Sequence, residues 1–163
     1  MLDVRKSLAV LVLAVRCGGG YSSSGGQPGP SPSPGPSVTP LRLLMLTAAA
    51  GFRHGSIDTA RQTLTTLGTR TGEFTVTATE DLSQITAARL QTVDVLMFVL
   101  TTGELAFNDS QKAAIKSFVE NGGGFIGAHS ATDTLYGWAD YGQLVGAYFK
   151  EHPWTQEATV VVE

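Results

Sequence analysis

The chain holds one cysteine, Cys17, in 163 residues, which rules out an intrachain disulfide framework and every cysteine-rich metal motif. Charged side chains make up 15% of it, below the roughly 25% of ordinary domains, and no run of Lys or Arg is interleaved with aromatics. That absence excludes a phosphate-backbone binder, whose affinity comes from clustered cations, so nucleic acid is not an expected partner. No apolar run approaches the roughly 20 residues needed to span a bilayer. Directly after the first strand-like segment there is neither GxGxxG nor GxxxxGK with Ser or Thr, so the usual nucleotide fingerprints are missing there. Beyond residue 40 proline is confined to Pro153.

That last scarcity marks a boundary. Six of the seven prolines and seven of the nineteen glycines lie within residues 1 to 40. The charge divides at the same place, with 8 basic and 13 acidic side chains in residues 41 to 163. The first stretch, MLDVRK then SLAVLVLAV, has two basic residues followed by an apolar run about nine residues long, the layout of a secretory signal rather than an anchor. Cys17 follows, and after it a Gly/Ser/Pro tether. This order resembles a bacterial lipoprotein signal, although Arg16 stands where such signals carry a small side chain. The expected organisation is a signal peptide over 1–17 with Cys17 as lipidation site, a disordered linker over 18–40, and one domain over 41–163. The protein is expected to be exported, periplasmic or envelope-associated, with membrane attachment through lipidated Cys17.

In the domain, LRLLMLTA at 41–48 is an almost unbroken apolar run, as a strand covered on both faces requires. Ile57, Ala60, Leu64 and Leu67 then repeat at helical spacing, with Ser56 placed to cap the helix and Gly68 to end it. FTVTA at 74–78 reads as a second strand, and DLSQITAARL as a short helical piece with Leu82, Ile85 and Leu90 inward. VDVLMFVL at 93–100 is the most apolar segment and reads as a central strand. Asn108 and Gln111 have capping-box spacing before a helix whose inner stripe is Ala114, Ile115, Phe118 and Val119. Asn121 and Gly122 end it, and FIGA at 125–128 forms a fourth strand. Strands alternating with helices specify an α/β fold with a parallel sheet. A short helix and a long loop follow, and EATVVVE opens a further strand, so the domain is expected to be incomplete at its C-terminal end.

In such a sheet, ligands bind beyond the carboxyl ends of the strands. Two polar segments fall there, GFRHGS at 51–56 and HSATD at 129–133, and they bring His54 and His129 to one rim. Imidazole is the side chain suited to proton transfer near neutral pH. Arg53 can supply a fixed cationic fork for a carboxylate, phosphate or oxyanion, and Asp133 can orient a histidine, accept a proton or join a metal. His152 and Glu151 lie in the tail and can fold over the same mouth, while Tyr136, Trp138, Tyr141 and Trp154 flank it. Each has an ordinary structural alternative: His54 satisfying backbone groups in a turn, Asp133 capping a helix, Arg53 in a surface ion pair, the aromatics in the core. Gly127 before His129 suggests a sharp strand-to-helix turn like a nucleophile elbow. The tip of that elbow carries His129, not a nucleophile. Ser130, His54 and Asp133 can be written as a triad, with nothing in the sequence to favour it.

GFRHGSI after the first strand, VDVLMFVLTTGE, NGGGFIGAHSATDT and YGQLVGAYFKEHP occur in order from about residue 42 to the end, and together they resemble the ThuA-like, trehalose-utilisation family. The resemblance implies a flavodoxin-like three-layer α/β/α sandwich related to the class I glutamine amidotransferases, with the catalytic cysteine replaced and His129 at the elbow. It implies a function in the metabolism of trehalose and related disaccharides through 3-keto intermediates. It carries His54, His129, Asp133 and His152 into the site, and it implies further site residues beyond residue 163. Three functions are consistent with this: an exported enzyme acting on a keto-sugar, disaccharide or glycoside by His-centred acid/base chemistry, a non-catalytic saccharide-binding envelope module, or an inactive truncated fragment. In the first, His129 is base or acid with His54 as partner, Arg53 stabilises an enolate or alkoxide, and Asp133 orients the site. Trp138, Tyr136 and His152 contact the sugar. A divalent metal would draw on His54, His129 and Asp133.

Overall fold

The structure, a computed structural model, describes residues 39–152 together with Glu157 and Thr159. The expected signal, the linker, Cys17 and Trp154 lie outside the described residues, and the strand expected over 157–163 falls almost wholly outside them.

Four strands, β1 (Leu41–Leu46), β2 (Phe74–Thr79), β3 (Val95–Val99) and β4 (Gly124–Ala128), form one sheet in the order β2-β1-β3-β4, and every pairing is parallel. The unbroken apolar runs have a direct cause. Along β1, Leu44 and Leu46 enter one buried cluster while Leu43 and Met45 enter the other. β3 repeats this, with Leu96 and Phe98 on the first face and Met97 and Val99 on the second. A strand buried on both sides cannot alternate with polar residues.

Helix α1 (Ile57–Thr71) covers the second face through Ile57, Ala60 and Leu64. The short α2 (Ala87–Leu90), α3 (Asp109–Glu120) and α4 (Ala139–Val145) lie on the first, contributing Leu90, Ala114, Ile115, Phe118 and Tyr141. The result is a three-layer α/β/α sandwich. On the first face Phe98 packs within 5.4 Å of the Phe125 ring and 5.6 Å of Tyr141, centroid to centroid. A fully buried side chain of this size contributes about 1.5–3 kcal/mol, so the α3/α4 side carries the larger share of the core.

The local signals behave unequally. Asn108 and Gln111 form the full capping box expected of them, satisfying two of the amide donors that open a helix. Ser56 occupies the N-cap of α1 without a side-chain hydrogen bond. Gly68 does not end α1: the helix runs to Thr71 and stops at Gly72, which adopts φ 70°. Gly68 serves a different need, since a Cβ there would lie 2.5 Å from the Phe74 carbonyl oxygen. The helical piece expected over DLSQITAARL splits into a 3-10 turn at Leu82–Gln84, capped by Asp81, and α2, capped by Thr86.

Candidate functional site

With this strand order the chain path reverses between β1 and β3, the position at which an open parallel sheet forms a crevice at its carboxyl ends. The segment after β1 carries His54, and the 3-10 turn His129–Asp133 follows β4 directly. Their imidazoles meet edge to face, with ring centroids 4.6 Å apart and planes at 78°. His129 is exposed and His54 half-buried.

His129 adopts φ 57°, the left-handed conformation that a side chain adopts at a cost of about 1–2 kcal/mol. This is where the sharp turn expected near Gly127 is made: the elbow sits on the histidine itself, and Gly127 instead admits Ala131, whose Cβ lies 3.1 Å from where a Gly127 Cβ would be. The same end of the sheet carries a set of buried hydroxyls. Thr47, Thr101, Thr102, Ser130 and Thr134 are the buried polar side chains among the described residues, and all five follow the carboxyl end of a strand. Thr134 Oγ1 donates to the Ser130 carbonyl at 3.1 Å and lies 3.0 Å from Thr101 Oγ1, so Thr101 is the donor to Thr134. Ser130 Oγ has no hydrogen-bond partner among the described residues; it bonds to neither imidazole, so the triad that can be written from the sequence has no hydrogen bonds here.

The other sequence-derived candidates are distributed around this pair. Arg53 gives both its terminal nitrogens to the Glu80 carboxylate, at 2.8 and 2.9 Å, and Arg61 approaches the same group at 3.6 Å. Hydrogen bonding to Arg53 holds the Glu80 carboxyl below its ordinary range. The guanidinium therefore ties the His54 loop to the end of β2. Asp133 Oδ1 lies 2.7 Å from the Tyr136 hydroxyl, which is also 2.8 Å from the Phe149 carbonyl. Burial of that hydroxyl, followed by the Asp133 carboxylate, pushes the Tyr136 phenol up to about 12, so it stays protonated at neutral pH. The Phe149 amide donates to the Thr132 carbonyl at 2.9 Å, which docks the tail on the turn that follows β4. His152 lies against Phe149, ring centroids 4.8 Å apart.

Of the aromatics, Tyr141 is fully buried and Trp138 stacks on it at 5.9 Å as part of the core. Tyr136 keeps an exposed face while stacking on Tyr148 at 4.8 Å. Phe52, absent from the candidates the sequence offers, is 71% exposed and meets His54 edge to face, centroids 5.0 Å apart. Its signal lay in plain view inside the GFRH segment, as a large apolar side chain next to two polar ones. Among the described residues no three or more His, Cys, Asp or Glu groups are gathered to hold a metal. With Asp133 engaged by Tyr136, His54, His129 and Asp133 do not fit a three-ligand site.

A cavity of about 790 Å³ opens at the other end of the sheet between α2 and α3, lined by Leu90, Asp94, Ala114, Phe118 and Gly122 among others. Asp94, its carboxylate, is bound by the Arg42 guanidinium at 2.8 and 3.0 Å, and neither histidine lines it.

A family model described as trehalose utilisation matches residues 42–163. No curated protein matches the chain. Among solved structures, a ThuA-like protein from Bacteroides uniformis is similar with a TM-score of 0.53 and 20% identity, over 71% of this chain and 48% of that one. At that identity the likeness is one of fold, and the chain spans about half the length of that protein. Sequence match and sheet topology together place the chain in the ThuA, trehalose-utilisation family.

Proposed function

We propose that the domain acts on a carbohydrate, a keto-sugar, disaccharide or glycoside, by proton transfer between His54 and His129. The observation that carries this reading is the edge-to-face imidazole pair at 4.6 Å on the crevice side of the sheet. A neutral imidazole can remove the proton on the carbon next to a sugar carbonyl. A protonated partner delivers a proton to the carbonyl oxygen of a keto-sugar, giving an enediol; in the return step the first imidazole puts its proton on the former carbonyl carbon while the hydroxyl on the adjacent carbon gives its proton to the second imidazole and becomes the new carbonyl. Positioned acid/base groups of this kind contribute about 10²–10⁴-fold. Arg53, bound by Glu80, is assigned to holding the loop, and the developing oxyanion is met by the imidazolium. Phe52 offers an apolar face to a sugar ring beside His54.

Replacing His129 by alanine, followed by turnover and binding assays over a panel of keto-sugars and disaccharides, tests this. Loss of turnover with retained binding is expected; unchanged turnover removes His129 from the chemistry. The exposure of Phe52 favours a second reading, a saccharide-binding module, which the same panel detects as binding without turnover in the unaltered chain. The apolar run over 7–15, Cys17 and the Gly/Ser/Pro segment after it support an exported, envelope-associated protein anchored by a lipid on Cys17. Cys17→Ser, with the protein leaving the membrane fraction, tests the anchor.

A further inference from the structure

Two residues after β3 touch both halves of the site. The Thr102 carbonyl accepts from the amides of Ala50 at 2.8 Å and Gly51 at 3.3 Å, and Thr102 Oγ1 donates to the Phe52 carbonyl at 2.8 Å. All three partners belong to the segment that leads into His54. On the other side the Gly103 amide donates to the Asp133 carbonyl at 2.8 Å, and the Gly103 carbonyl accepts from Leu135 at 3.0 Å, which fixes the far end of the turn that His129 opens. Ladder contacts continue both pairings beyond the strands, Ala49 with Thr102 and Gly103 with Thr134. Thr102 is 1% exposed. Gly103 adopts φ 71°, and a Cβ there would lie 2.7 Å from the Gly51 amide nitrogen, so the two backbones approach as closely as glycine allows.

We infer that Thr102–Gly103 is the positioning element of the site, setting the separation of His54 and His129 by clamping the β1 loop and the β4 turn to one point just beyond β3. Neither residue hydrogen-bonds to an imidazole; both act through the segments that carry them. The inference rests on the proposed proton-transfer pair for its functional meaning, but its geometry stands without a substrate. A hydroxyl at position 102 and the absence of a side chain at position 103 are the chemical requirements.

The test is the nuclear Overhauser contact between the two imidazoles in the full chain. The unaltered protein is expected to show a His54–His129 cross-peak and a Phe98–Tyr141 cross-peak from the core rings. Thr102→Val keeps the branched shape and removes the hydroxyl; the histidine cross-peak is expected to fall by half or more while the core cross-peak persists. Thr102→Ser, which restores the hydroxyl, is expected to recover it. A Thr102→Val protein with the histidine cross-peak at full strength overturns the proposal, as does a Thr102→Ser protein that loses it. Should the valine variant fail to fold, hydrogen exchange in the unaltered chain decides: protection of the Ala50, Gly51 and Gly103 amides well above Gly55 is expected, and exchange as fast as Gly55 overturns the clamp. Retained turnover in the His129→Ala protein would sink the acid/base reading and leave these outcomes untouched.

Discussion

At the amino ends of β2 and β4 the chain turns through Gly72 and Gly122, with φ of 70° and 95°, whereas beyond the carboxyl ends of β3 and β4 the left-handed region is occupied by Leu100, His129 and Leu135 as well as by Gly103. Glycine enters that region freely; a residue with a side chain does so at about 1–2 kcal/mol. Leu100 and Leu135 are 5% and 1% exposed, and burial of each offsets the strain. His129 is exposed and has no such compensation. The buried hydroxyls lie at the same end, and the cavity of about 790 Å³ at the other. One end thus turns through glycine, and the other gathers buried hydroxyls and left-handed residues with side chains.

The comparison breaks most visibly in activity. His129→Ala is expected to lower turnover by about 10²–10⁴-fold with the thermal transition hardly moved, read from steady-state rates beside calorimetry. A change at the other end with the same effect, such as Asp94→Asn abolishing turnover, would destroy the distinction. Next come the turns themselves. Gly122→Ala is expected to destabilise by about 1 kcal/mol, since its φ penalises any side chain although the space is open. His129→Gly is expected to stabilise by about 0.5–1 kcal/mol while losing activity. Denaturant unfolding of the two variants measures both signs.

A smaller effect concerns acid. Hydrogen bonding to Arg42 holds the Asp94 carboxyl at about 2 against an ordinary 3.8. Because the folded value is the lower one, this contribution is present above 3.8 and lost as the pH falls through about 2. Asp94→Asn should flatten the acid limb of the stability curve over that window without altering turnover. Smallest is Phe52→Ala: stability is expected to change by less than about 0.5 kcal/mol, as for an exposed residue, and saccharide affinity to weaken. A titration with a disaccharide, run beside a melt, separates the two.

Much of the layout was legible because apolar runs report burial on two faces. β1 and β3 are covered on both sides, so their sequences show it directly, and the Asn108/Gln111 box is a local event written in two residues. Gly68 was misread as a helix stop because close approach and left-handed turning both select glycine; only the Phe74 carbonyl beside it distinguishes them. His54 and His129 were legible as a pair because sheet topology alone brings the two strand ends to one rim. Thr102 was not, since its partners are about fifty positions away in the chain and threonine carries no chemical signal of its own. The Arg53 fork was visible, but its engagement by Glu80 depends on the neighbouring strand end. Tyr141 stood among the aromatics around the mouth, yet the register of α4 turns it fully inward.

The junction at Thr102–Gly103 also has a consequence in time. It cannot exist until β1 and β3 are paired, and the turn carrying His129 cannot reach it until β4 has joined β3. Contacts between segments so distant along the chain are the late ones in folding, because each closes a long loop before it is rewarded. In refolding, the meeting of the two imidazoles should therefore arrive with the last step of sheet assembly, after helix formation and after burial of the β1/α1 face.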